Sequence, residues 1–260
     1  MTSMKNALIT GASSGIGLEF ARQLAAKGCS LAIISNRQEE LESAAKSIRD
    51  EFPVQVQTLC IDLSESGAAA KVAAWCDETC FQPDVLVNNA GMFFMHYLDK
   101  ERLPLVRKMI GLHVQAITEL CIIFGERMRS RSEGYILNVA SMTARLPAPS
   151  IAIYSASKAY LMSFGKSLSY ELRPYGVKLT TVCPAAVDTG LYPLGDKLRR
   201  TLRRLGIIMS TEKLVRKSLR ALRHGRRELN PGFGNFLVPV LMGIVPARLI
   251  DSLGMKLINK

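Results

Sequence analysis

Six short runs of apolar and β-branched residues, evenly interleaved with stretches of helical periodicity, constrain this chain more than any other feature. They lie at 7–10, 30–35, 54–60, 85–87, 135–139 and 178–183. Most lack the alternation of a half-exposed strand. Near-continuous apolar runs of this length suit strands buried on both faces of a parallel sheet. Between them the pattern predicts helices over 15–27, 38–51, 65–79, 102–128 and 154–173. The first stops at Gly28 and the last before Pro174, both ordinary terminators. The alternation predicts an α/β domain with a doubly wound parallel sheet and helices on both faces.

After about residue 190 the pattern changes. Leu194, Leu198, Leu202, Leu205 and Met209 recur every three or four residues with arginines between them, which reads as an amphipathic helix. A second helix is predicted over 211–224, capped by Ser210 and stopped at Gly225, then an extended segment at 227–230 and an apolar helical region over 233–257. The chain divides into a core at 1–192 and a basic and apolar extension at 193–260 that completes the same domain.

The bulk composition sets further limits. With 260 residues, 48% hydrophobic and 22% charged, the chain is long enough for a substantial core. The N-terminus shows no secretory h-region, and no stretch reaches the roughly 18 uncharged apolar residues of a spanning helix. Six scattered cysteines without a C-x-x-C pair suit a reducing, cytoplasmic setting, and with three histidines no metal site is expected. The net charge of +12 is local. Residues 196–260 hold fifteen lysines and arginines against four acids, a net +11.

The first predicted strand runs into Thr10-Gly11-Ala12-Ser13-Ser14-Gly15-Ile16-Gly17 and then directly into a helix. Glycines there permit a sharp turn, close approach of backbone to a phosphate, and tight helix packing. The helix N-terminus offers free N–H groups and partial positive charge to a pyrophosphate. In this strand–turn–helix setting the spacing favours a dinucleotide over the alternative, a tight turn that binds nothing.

Along residues 5–192 the chain resembles the short-chain dehydrogenase/reductase family, and its basic C-terminal segment resembles the tail of the steroid and long-chain acyl reductases within that family. Residues 10–17 match the family's T-G-x-x-x-G-I-G, and Asn88-Asn89-Ala90-Gly91 matches its N-N-A-G. Ser141 ends the fifth predicted strand, Tyr154 follows 13 residues later and Lys158 four after that, matching the family's serine and Y-x-x-x-K. Asp62 and Leu63 follow the third strand, where the family places an aspartate against adenine. Pro184, Val187 and Thr189 fall in the loop over the nicotinamide. The resemblance implies a Rossmann-type sheet of about seven strands in order 3-2-1-4-5-6-7. It also implies a nicotinamide dinucleotide held by Gly11, Ser13, Ser14, Gly15, Ile16 and Gly17, by Asn89, Ala90 and Gly91, and by Tyr154 and Lys158. Two departures stand out. His113 occupies the place of the family's usual catalytic asparagine, as a relay-supporting or packing group, and Pro184-Ala185 replaces P-G.

On a helix, Tyr154 and Lys158 at i and i+4 share one face. A free tyrosine titrates near 10, and an adjacent ammonium favours its phenolate, so Tyr154 can exchange a proton with an alcohol or carbonyl oxygen. The resemblance gives Ser141 the substrate oxygen and Lys158 the ribose hydroxyls. The second strand ends in Ser35-Asn36-Arg37 without an acid, so Asn36 and Arg37 favour a 2′-phosphate and hence NADP(H), with NAD(H) as the alternative. Met92, Phe93, Phe94, Met95, Leu146, Pro147, Leu191 and Tyr192 are apolar where the family lines its substrate cleft. This implies a lipophilic ketone: a 3-oxoacyl compound, free or on a carrier, a 3-ketosphingoid or a steroid. Residues 196–260 could rest on an anionic membrane, bind an acidic carrier, or be a solvated face beside a packing helix. No nucleic-acid motif accompanies the charge. A homodimer or homotetramer is expected. Competing readings are an NAD-dependent alcohol or hydroxysteroid dehydrogenase, a non-catalytic NADP(H) sensor and a membrane-associated scaffold.

Overall fold

The computed structural model describes residues 4–146, 148–188, 208–232 and 234–235. Its strands are β1 (Asn6–Thr10), β2 (Ser30–Ser35), β3 (Val56–Cys60), β4 (Val85–Asn88), β5 (Gly134–Val139), β6 (Val177–Val182) and β7 (Glu228–Leu229). All pairings are parallel, and the order is β3-β2-β1-β4-β5-β6-β7, as expected. The helices are α1 (Gly15–Ala25), α2 (Gln38–Glu51), α3 (Ala68–Glu78), α4 (Leu103–Ile110), α5 (Ala116–Ser130), α6 (Ala152–Leu172) and α7 (Thr211–Arg223).

The two-residue period of the strands sorts the core. Ala7, Ile9, Leu31, Ile33, Val85 and Val87 face α1, α2 and α7. Leu8, Ala32, Ile34, Leu86 and Ile136 face α3, α5 and α6. Each fully buried leucine or isoleucine of these rows contributes roughly 1.5–3 kcal/mol, so the sheet is held from both sides. Its C-terminal edge, where the connecting loops gather, is left to carry a site.

Several boundaries differ from expectation. The third helix begins at Ala68 because Gly67 precedes it in the left-handed region, φ +74°. The single helix expected over 102–128 is four pieces: a 3₁₀ turn at Lys100–Arg102, α4, a π-helical turn at Gly111–Gln115, and α5. The continuous run Lys100–Ser130 is long and apolar enough to cross a bilayer, but half of its apolar window is buried in the fold. It is a core helix here: Leu120, Cys121, Phe124 and Met128 pack against the sheet. At α7 the expected cap is present, with the Lys213 N–H donating to Ser210 Oγ at 3.3 Å. Met209, expected to end an amphipathic helix, instead forms an isolated parallel bridge with Val187. Leu194, Leu198, Leu202 and Leu205, and nearly all of the apolar region at 233–257, lie outside the described residues. All six cysteines are free.

Candidate active site

The C-terminal end of β1 turns on Gly11 (φ +65°) and Gly15 (φ +56°) into α1. Ser14, the residue before α1, makes no side-chain cap bond, and the first turn holds no acid, so its N–H groups are open to an anion. A Cβ on Gly17 would lie 2.0 Å from the Gly11 carbonyl oxygen and 2.5 Å from Asn89 Nδ2. Gly17 therefore shapes the turn from behind and does not line it. Asn89 Nδ2 donates to the Thr10 and Gly11 carbonyls, both at 3.1 Å. The Asn89 and Ala90 N–H groups donate to Thr10 Oγ1 at 3.0 Å. The two glycine-bearing motifs, 78 residues apart in sequence, thus form one hydrogen-bonded floor.

Beside the turn, Ser35 Oγ donates to Ser13 Oγ at 3.0 Å, and Arg37 Nη2 donates to Ser14 Oγ at 3.1 Å. Arg37 also pairs with Glu40 at 2.7 Å. Asp62 spends both carboxylate oxygens. Oδ1 accepts from the Ser64 N–H and hydroxyl at 3.0 and 2.7 Å, and Oδ2 accepts from Lys108 at 2.8 Å. Burial pushes the Asp62 carboxyl up, but the Lys108 ammonium and the Ser64 donors outweigh it and hold it near about 2.

At the other end, Ser141 follows β5 and caps a 3₁₀ turn, its Oγ accepting from the Thr143 N–H at 3.2 Å. Across from it α6 presents Tyr154 and Lys158. The Tyr154 ring meets Phe93 edge-on at 4.9 Å and His113 at 5.8 Å. Lys158 is 4% exposed, its Nζ lies 5.7 Å from the Tyr154 ring centre, and it donates to the Val139 carbonyl at 3.1 Å. Burial pushes the Lys158 ammonium down from 10.5 to about 8. Neighbouring Cys183 is held as a neutral thiol, pushed up by burial to about 11.

These pieces line one cavity of about 760 Å³. Of the residues named from sequence, Gly11, Ser13, Ser14, Gly15, Ile16, Asn36, Arg37, Asp62, Leu63, Asn89, Ala90, Gly91, Ser141, Tyr154, Lys158, Pro184 and Val187 line it. Met92 and Phe93 do too, while Thr189, Pro147, Leu191 and Tyr192 lie outside the described residues. His113 is fully buried behind the wall and does not line it. Lys108 lines the cavity and escaped the sequence reading; an isolated lysine on an amphipathic helix carries no signal that it will cross to Asp62. The C-terminal extension braces the site from below. Arg145 donates to Asn230 Oδ1 at 2.8 Å and pairs with Glu228. The Pro231 carbonyl accepts from the Ala185 N–H at 3.1 Å.

Comparison with known proteins gives the same picture. The chain is 32% identical over 191 residues to a very-long-chain 3-oxoacyl-CoA reductase-A of Danio rerio, covering 71% of this chain and 59% of that protein. Against the B form of the same organism it is 30% identical over 263 residues, covering 98% and 78%. A solved short-chain dehydrogenase from Sphingobium yanoikuyae in complex with NADPH superposes with a TM-score of 0.74 at 30% identity, covering 87% of this chain and 86% of that one. The short chain dehydrogenase profile matches residues 5–195. With the sheet order, the glycine floor and this match together, the chain belongs to the short-chain dehydrogenase family and is a nicotinamide-dependent oxidoreductase.

Proposed function

We propose that this chain uses NADP(H) to reduce the ketone of a lipophilic substrate, a long-chain 3-oxoacyl thioester fitting best. The observation that carries this is the meeting of Ser141, Tyr154 and Lys158 in the same cavity as the glycine turn. The residues fit a dinucleotide: the helix that opens at Gly15 has no side-chain cap and no acid in its first turn, which leaves its N–H groups for a diphosphate. When bound, the reduced nicotinamide supplies a hydride to the carbonyl carbon. Ser141 Oγ–H donates to the carbonyl oxygen and fixes it. Tyr154 gives its phenolic proton to that oxygen as the alcohol forms. Lys158, held by the Val139 carbonyl, would hold the ribose hydroxyls with its other N–H groups and favours the charged form of Tyr154.

Arg37 supports the 2′-phosphate form of the cofactor, since its guanidinium already lies on Ser14 at the cavity wall. The Sphingobium neighbour's complex with NADPH agrees. Support for an acyl substrate comes from the relatives named as 3-oxoacyl-CoA reductases and from the apolar segment after Gly91, whose Met95 and Leu98 are 45% and 51% exposed.

The extension suggests where such a substrate is met. α7 buries Leu214, Val215, Leu219 and Leu222 and exposes Lys213, Arg216, Lys217, Arg220 and Arg223. Among the described residues none of these cations forms an ion pair. With its apolar side spent on the core, α7 would contact an anionic membrane surface through charge alone.

Three measurements test these readings. Wild type should oxidise NADPH with a long-chain 3-oxoacyl-CoA, and Tyr154→Phe should lower turnover by about 10²–10⁴-fold while NADPH affinity stays within about twofold; full turnover by Tyr154→Phe refutes the mechanism. Arg37→Ala should raise KM for NADPH about tenfold, equivalent to about 1.4 kcal/mol, and leave NADH nearly unchanged. Equal losses with both cofactors remove the 2′-phosphate assignment. In flotation, wild type should bind vesicles containing anionic lipid but not neutral ones, and Arg216→Glu/Arg220→Glu should stay in solution; failure of wild type to float ends the membrane reading.

A further inference from the structure

His113 sits on the π-helical turn between α4 and α5 and is fully buried, yet both ring nitrogens are engaged. Nε2 accepts the Met92 N–H at 2.9 Å. A backbone amide can only donate, so Nε2 carries no proton, and the ring's single proton sits on Nδ1. Nδ1 lies 3.0 Å from Ser157 Oγ, and that hydroxyl donates onward to the Tyr154 carbonyl at 2.8 Å. Every donor and acceptor in this chain therefore has its direction set by the two backbone groups at its ends.

We propose that His113 is a positioning residue and not a proton carrier: as a neutral imidazole it ties the segment following Gly91 to the helix that bears Tyr154 and Lys158. To carry a proton, Nε2 would have to break with Met92 and become cationic. It would do so without solvent and beside the Lys158 ammonium. Burial, reinforced by that ammonium, pushes the imidazole down to about 2. Among the described residues, the titratable side chains facing it are Tyr154 and Lys158, both from α6.

The strut joins the two segments that set the Tyr154 ring in place. One is the Met92–Phe93 backbone, whose Phe93 ring abuts the Tyr154 ring. The other is the first turn of α6. A Cβ on Gly91 would lie 3.2 Å from His113 Nε2 and 3.7 Å from Lys158 Nζ. Gly111 is what admits the helix here, since a Cβ on it would lie 2.5 Å from the Ser64 carbonyl oxygen. The π turn adds a residue to the helical path at that contact and turns the ring inward.

The proposal rests on the reductase reading for its kinetic consequences but not for its structural ones, so two readouts are used. In amide hydrogen exchange, Met92 should be protected in wild type and in His113→Gln, whose carboxamide oxygen replaces the acceptor. It should exchange at least about tenfold faster in His113→Ala. In NADPH-dependent ketone reduction, His113→Ala and Ser157→Ala should each lower kcat about tenfold with KM for NADPH within about twofold. The double variant should be no slower than about twofold below either single one, because one linkage is removed once. The midpoints of the kcat–pH profile should not move in His113→Gln. A midpoint displaced by a unit or more makes His113 part of the proton path and overturns the proposal. So does an unchanged Met92 exchange rate in His113→Ala, or losses that multiply in the double variant. Absence of wild-type turnover sinks the reductase reading, while the exchange data still decide the strut.

Discussion

A primary ammonium buried at the end of a parallel strand is the interaction on which the rest of this molecule depends. Lys158 has almost no contact with water, and an uncompensated charge in such a place is costly. The Val139 carbonyl, the last of β5, accepts a hydrogen bond from it. That bond fixes how far along α6 the amine lies relative to the sheet edge. Because Tyr154 is one helical turn earlier, it fixes the phenol as well. Ser141 follows the same strand by two residues. Three side chains of the cavity thus take their places from one strand end and one helix.

The other half of the cavity obeys a different rule, closeness of backbone. Gly11 and Gly17 lack side chains because Ala90 Cα and the Gly11 carbonyl occupy the space a Cβ would need. Thr10 and Asn89 then stitch the β1 turn to the loop after β4 with side-chain hydrogen bonds. Strands β1 and β4 are neighbours in the sheet and its order reverses there, which opens a crevice between their following loops. Sheet order, bare backbone and buried amine therefore converge on the same edge.

Much of this was legible in the residues because it rests on local rules. The apolar runs gave the strands, since a strand covered on both faces has no polar row to confuse the pattern. The glycine spacing anticipated the β1 turn, and the separations of Ser141, Tyr154 and Lys158 anticipated that the three would line one cavity. What stayed hidden depends on contacts between distant segments. At Gly111, where the long helix breaks, a Cβ would meet the carbonyl of Ser64, far away in sequence. The pairing of Lys108 with Asp62 and the role of Ser157 as a link between His113 and α6 have the same character. Met209 was misread because leucine spacing extends helical periodicity to it, whereas its backbone pairs with Val187.

The most direct test of the buried amine is its own titration. With lysine labelled at Cε and the Lys158 resonance assigned by loss in Lys158→Met, the midpoint should fall at about 8, well under the ordinary 10.5. A midpoint at the ordinary value would mean a solvated amine, no fixed distance to the phenol, and no basis for the arrangement described.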